Sequence, residues 1–205
     1  MQQRDSFNTA QRQRRAVRTQ WTAVRALIAT GLFFCASLAG TRPADAQAPR
    51  VASEYDVKAA FLYNFANFVT WPAAAFAASG SPFIIGVLGE DPFAGRLEST
   101  IRGESVGGRP MVYRRVTKVD QMKSCHVLFI SAFEHARHAD LLSDLRGAPV
   151  LTVGEAEQFL GAGGMIRFVV AERRVGFEVN LASASKSGLK PSGRLLKVAR
   201  RVIGP

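Results

Sequence analysis

Three short stretches of this chain, residues 83–88, 127–131 and 150–154, are apolar almost without interruption. No other pattern limits the fold as much. A strand with one wet face alternates apolar and polar residues, whereas a continuous apolar run must be covered on both faces. The runs are too short for helices, and helical periodicity lies between them. Strands buried on both sides and joined through helices form a parallel sheet with helices on both faces. The expected fold is therefore a single α/β domain. Its sheet is mixed and mostly parallel, and a C-terminal β-hairpin plus helix closes it.

The intervening segments give the rest of the order. Val57, Phe61, Phe65 and Phe68 recur at helical spacing, with Leu62 and Val69 widening the stripe, so a helix is expected over 53–70. Ser53 can cap it, and Glu54 and Asp56 suit the positive end of its dipole. Pro72 stops it. After the first strand, Asp91 and Pro92 read as the cap and first residue of a helix marked by Phe93, Leu97 and Ile101. A strand is expected over 111–116, a helix over 133–145 and a short helix over 155–160. Strands 165–170 and 175–180 should form the hairpin, turning at Glu172 and Arg173. A last helix is expected over 192–202, with Leu195, Leu196, Ala199 and Val202 on its apolar side.

Composition matters chiefly through charge. The 205 residues carry a formal charge of +11, which by itself suggests nucleic acid. Its distribution does not. Seven arginines, from Arg4 to Arg42, stand against Asp5 and Asp45 in residues 1–46. An apolar stretch over 26–40 follows Arg25, and then comes Ala44-Asp45-Ala46. A basic start, a short apolar core and an A-x-A site together describe a secretory signal peptide. Residues 1–46 are thus expected to be cleaved, leaving a domain over 47–205 in the periplasm. Residues 47–185 carry 14 charges of each sign, and the last 20 residues carry six basic residues and no acid. No nucleic-acid partner is expected of such a secreted chain.

No catalytic constellation is visible. His135 and His138 are three residues apart, but no HExxH or CxxC accompanies them. Cys125 and His126 are neighbours on a strand, so their side chains point to opposite faces. Cys125 is the only cysteine of the expected mature part, so a disulfide within one chain is excluded there. It reads as a small buried hydrophobe, or else as a pairing point for a second copy of the chain. The glycine spacing around Gly86, Gly89 and Gly95 lacks the dinucleotide fingerprint. No catalytic, cofactor-binding or metal-binding residue is expected. Glu178 and Asn180 share one strand face and could line a groove. Alternatively Glu178 pairs with Arg167 across the hairpin and Asn180 caps the next segment.

Several segments together resemble the YfiR-like family of periplasmic proteins. They are residues 54–65 with 68–72, 85–93, 125–131, 150–154, 163–166, 177–180 and 189–199. The match runs in order through nearly all of the expected mature chain. It implies a small periplasmic regulator rather than an enzyme, one that binds the periplasmic sensor domain of an inner-membrane diguanylate cyclase and holds it inactive. Cyclic-di-GMP signalling and biofilm formation would respond. The resemblance also implies an OmpA-like outer-membrane lipoprotein that sequesters the regulator. Some relatives carry paired cysteines that make them redox-sensitive, whereas only Cys125 stands in the expected mature part here. Arg167 and Gly193 stand where a polar amide and a serine are expected.

The candidate interaction residues are Trp71, Pro72, Glu178, Asn180, Arg194, Lys197 and Arg201. The Trp-Pro corner offers an aromatic anchor, and the basic end offers steering toward an acidic partner or an anionic membrane. The partners expected are the cyclase's periplasmic domain, the OmpA-like lipoprotein and a second copy of the chain. The alternative reading is a periplasmic small-ligand sensor that uses helix N-termini at Gly89 and Gly154.

Overall fold

The structure is a computed structural model that describes residues 52–204. The expected signal peptide lies outside the described residues. The first element, helix α1 (Glu54–Phe68), begins with a capping box. The Ser53 amide donates to Asp56 Oδ2 at 2.8 Å, and the Asp56 amide donates back to Ser53 Oγ at 3.3 Å. The helix buries Ala59, Leu62, Phe65 and Ala66, with Phe61 and Phe68 half-buried beside them. The buried stripe is thus shifted from the expected one: it runs through Lys58, Ala59, Leu62, Phe65, Ala66 and Val69, and the expected Val57, Phe61 and Phe68 are only half-buried at its border.

The chain then runs through β1 (Val69–Thr70), β2 (Phe83–Leu88), α2 (Arg96–Ile101), β3 (Ser105–Val106) and β4 (Arg109–Val116). It continues with α3 (Val119–Met122), β5 (Val127–Ile130), α4 (His138–Asp144), β6 (Leu151–Gly154), β7 (Ile166–Ala171) and β8 (Arg174–Asn180). The last elements are α5 (Leu181–Lys186), β9 (Lys190–Pro191), α6 (Gly193–Val198) and β10 (Arg201–Ile203). Eight strands form one sheet in the order β10-β8-β7-β6-β5-β2-β4-β3. Five of its pairings are parallel, and β7–β8 and β3–β4 are antiparallel. The mixed, mostly parallel α/β fold expected from the apolar runs is the one found. Strands β2, β5 and β6 are buried at every position.

Each face of the sheet has its own core. One, under α1 and α2, is built around Phe65, Phe93, Phe129, Phe168 and Phe177. Phe65 and Phe177 meet edge to face at 5.1 Å, as do Phe93 and Phe129 at 5.0 Å. The other, under α4, holds Leu128, Ile130, Leu141, Leu145 and Phe159.

Several local expectations need correction. The helix after β2 begins at Arg96 rather than Pro92. Asp91 caps a turn instead, accepting from the Phe93 amide at 2.8 Å, and Gly95 at φ +82 starts the helix. Residues 132–137 form a 3-10 turn before α4 rather than one helix over 133–145. Residues 155–160 form turns, not a helix. Here the Phe159 ring sits where a Cβ on Gly154 or Gly164 would fall, at 2.5 and 2.3 Å, and this packing dictates the path. The last expected helix stops at Val198, and the chain returns as β10 parallel to β8. Arg200 drives that return. Its stem covers Gly176, where a Cβ would lie 2.3 Å from Nε, and its guanidinium donates to the Arg174 carbonyl at 3.2 Å.

Candidate functional site

The polar groups gather at the two rims of the sheet. The upper rim, at the C-terminal ends of the parallel strands, is the usual ligand side of an open α/β fold. Here it is tied shut by side chains. Lys58 of α1 is 3% exposed and bonds Glu54 and Glu155, the latter at 2.7 Å. Burial alone would lower its pKa, but the bonds to Glu155 and Glu54 outweigh that and hold it above the usual lysine value. Tyr113 donates to Asp91 at 2.7 Å, and burial with that carboxylate pushes its phenol up to about 12. The Glu134 side chain leans over Gly89, with its Cγ 2.9 Å from where a Cβ would stand, and pairs with Arg137 at 3.4 Å. A crevice of about 240 Å³ remains there, lined by Gly89, Arg115, Glu134 and Arg137 among others. Neither Gly89 nor Gly154 opens directly onto a helix N-terminus.

The lower rim begins with an aromatic stack. The Arg109 guanidinium lies 4.0 Å from the Phe76 ring centre, Phe76 stacks on His126 at 4.7 Å, and His126 stacks on Phe83 at 4.6 Å. Trp71 meets Phe83 edge to face at 4.9 Å. His126 Nδ1 accepts the Ile84 amide at 3.0 Å, which leaves the proton on Nε2. Nε2 has no hydrogen-bond partner among the described residues. Burial pushes the ring down to about 4, opposed by the nearby Ala75 carbonyl and helped by the Arg109 charge. The imidazole is therefore neutral at ordinary pH and serves as a wedge that extends the β2–β5 pairing.

Each anticipated residue can now be placed. Trp71 is half-buried on Phe83, with its indole N–H buried and unpartnered among the described residues. Pro72 is half-buried beside Gly188. Glu178 pairs with Arg167 at 2.8 Å and with Arg201 at 3.0 Å. Burial tends to raise its pKa, but the two arginines win and lower it. Asn180 caps α5, accepting from the Ser183 amide at 3.0 Å, and it donates to the Leu160 carbonyl at 3.2 Å. Both residues are thus tied into the frame. Arg194 and Lys197 are exposed on α6, and Val198 beside them is 67% exposed. The structure does not gather the seven residues into one pocket. His135 is exposed, whereas His138 is buried edge to face with Phe159, so the two imidazoles do not converge. Cys125 is buried on the α4 side, and burial pushes its thiol up to about 11.

Sequence reasoning missed Lys58 and Glu155. Their separation of 97 positions hides the pair; the only clue is a lysine beside the apolar stripe of α1. Among the described residues no cluster of three or more metal-ligating side chains occurs.

Comparison with known proteins adds one decisive match. The model of a family described as YfiR/HmsC-like matches residues 55–200. Solved structures give weaker likenesses. The ABC domain in complex with L-Trp from Streptococcus pneumonia is 12% identical with a TM-score of 0.43, over 59% of this chain and 55% of that one. A conserved domain protein from Vibrio cholerae O1 biovar El Tor is 13% identical with a TM-score of 0.41, over 58% and 54%. The chain spans little more than half the length of either.

Proposed function

The chain belongs to the YfiR/HmsC-like family, and from that premise we propose that it is a periplasmic regulator that represses an inner-membrane diguanylate cyclase. Family membership supports regulation of cyclic-di-GMP synthesis and a role other than catalysis. The finer reading is that the protein binds the cyclase's periplasmic sensor domain. An OmpA-like outer-membrane lipoprotein would sequester it, and biofilm formation would follow the freed cyclase. Residues 1–46 would direct export and be removed.

The observation that carries this reading is the family match, which covers almost the whole described domain. The geometry fits a binding role. Arg194 and Lys197 are exposed around Val198, a cationic surface with an apolar centre. Such a surface suits an acidic partner with an apolar contact. Trp71 and Pro72 are half-buried and supply a second contact candidate. Arg201, although exposed, is already engaged by Glu178.

Deletion of the gene tests the reading. Cellular cyclic-di-GMP is expected to rise and to fall again on complementation. A complementing Arg194→Glu, Lys197→Glu chain should restore repression poorly and should bind the purified cyclase domain at least tenfold more weakly. Unchanged cyclic-di-GMP in the deletion strain overturns the proposal.

A further inference from the structure

At the lower rim, on the face covered by α4, a cavity of about 320 Å³ opens between the end of α4, the loop before β7 and the outer side of α5. Arg146 and Lys186 stand among its lining residues. Both are exposed, and among the described residues neither has a carboxylate within 4 Å. No Asp or Glu lines the cavity. Hydroxyl side chains line it too. Thr152 is 1% exposed, and its Oγ1 accepts the Met165 amide at 3.1 Å, so its proton is left to donate. Ser187 is 6% exposed, and Ser183 is half-buried. Both serines line the cavity.

Volume and charge narrow the ligand. About 320 Å³ lies at the small end of metabolite pockets. Two cations with no counter-ion, above hydroxyl donors, select an anion. We propose that this cavity is a binding site for a small hydroxylated organic anion, held by Arg146 and Lys186 through its oxyanion and by Thr152, Ser183 and Ser187 through hydroxyl contacts. The oxyanion is a phosphate ester or a carboxylate. The site is separate from the docking surface proposed above and stands or falls independently of it.

Calorimetric titration of the purified protein with glycerol 3-phosphate, malate and glycerol tests the site. Saturable binding of at least one anion is expected, with none of neutral glycerol. The tighter anion identifies the oxyanion class. The Arg146→Gln, Lys186→Met double variant alters only exposed side chains and should weaken that binding at least tenfold. Amide NMR shifts on titration should cluster at Gly163 and over residues 183–187. Three results overturn the proposal: no binding of either anion, equal binding by the double variant, or shifts clustered at the Gly89–Glu134 crevice instead.

Discussion

The upper and lower rims of the same sheet are built in opposite ways. At the upper rim three charged pairs form among the described residues: Lys58 with Glu155, Arg96 with Asp56 at 3.1 Å, and Arg137 with Glu134. At the lower rim Arg146 and Lys186 face a cavity with no carboxylate in its wall. The C-terminal rim of an open α/β sheet is where ligands are ordinarily sought. Here that rim is a seam, and the open polar space lies at the other end. Fold alone points to the upper rim, whereas the site proposed above lies at the lower one.

If the upper rim is a seam, cutting it should cost the most. Lys58→Met leaves Glu155, itself 17% exposed, without its cation. Breaking a buried pair from one side costs about 3 to 4 kcal/mol, to be read by urea denaturation. The double variant with Glu155→Gln should recover much of that loss. The intact pair also carries a pH signature. The raised Lys58 pKa means that its contribution is complete below the unfolded lysine value and fades as pH rises through the folded one.

The lower rim should fail in acid instead. His126 is held near 4, against about 6.5 for an unfolded histidine. As pH falls from about 6.5 to about 4, the unfolded chain takes up a proton that the folded chain refuses, so stability drops. The expected loss is about 2 to 3 kcal/mol across that window. His126→Gln, whose side-chain oxygen can still accept the Ile84 amide, should flatten the thermal denaturation profile there. Asn180→Ala, which removes the α5 cap and the bond to Leu160, is expected to cost about 1 to 2 kcal/mol. A loss no larger than that of a surface substitution would mean that α5, one wall of the cavity, is held by other contacts.

The same contrast explains what the sequence could disclose. Strands β2, β5 and β6 are legible because burial on both faces writes a continuous apolar run into the chain. The capping box of α1 is legible because it spans three residues. The pairing of Glu178 with Arg167 could be anticipated because the Glu172-Arg173 turn sets the hairpin register. The end of the chain could not. Its stripe of Leu195, Leu196, Ala199 and Val202 reads as one helix, but Arg200 folding over Gly176 turns the last residues into β10. The turn over 155–160 depends in the same way on one ring against two glycines. The cavity is hidden for a further reason. Its lining comes from four separate segments, each polar in an ordinary way, and only their assembly leaves two cations without a carboxylate.

Glu134→Gln separates charge balance from shape as the cause of the difference between the rims. The crevice beside Gly89 already holds Arg115 and Arg137 in about 240 Å³, and Glu134 is the only carboxylate in its lining. Glutamine keeps the size of the side chain over Gly89 while removing its charge. Arg137, itself 62% exposed, then loses a partner at 3.4 Å, so the stability change should be within about 0.5 kcal/mol. Anion binding is the informative readout. If an internal counter-ion is what closes the upper rim, the variant should gain weak millimolar binding of malate or glycerol 3-phosphate that the parent chain lacks at that crevice. NMR shifts at Gly89 and Thr117 would report it. If the variant gains nothing while the lower cavity still binds, shape is the deciding factor: the larger cavity and its hydroxyl lining, rather than the missing carboxylate, distinguish the two ends of the sheet.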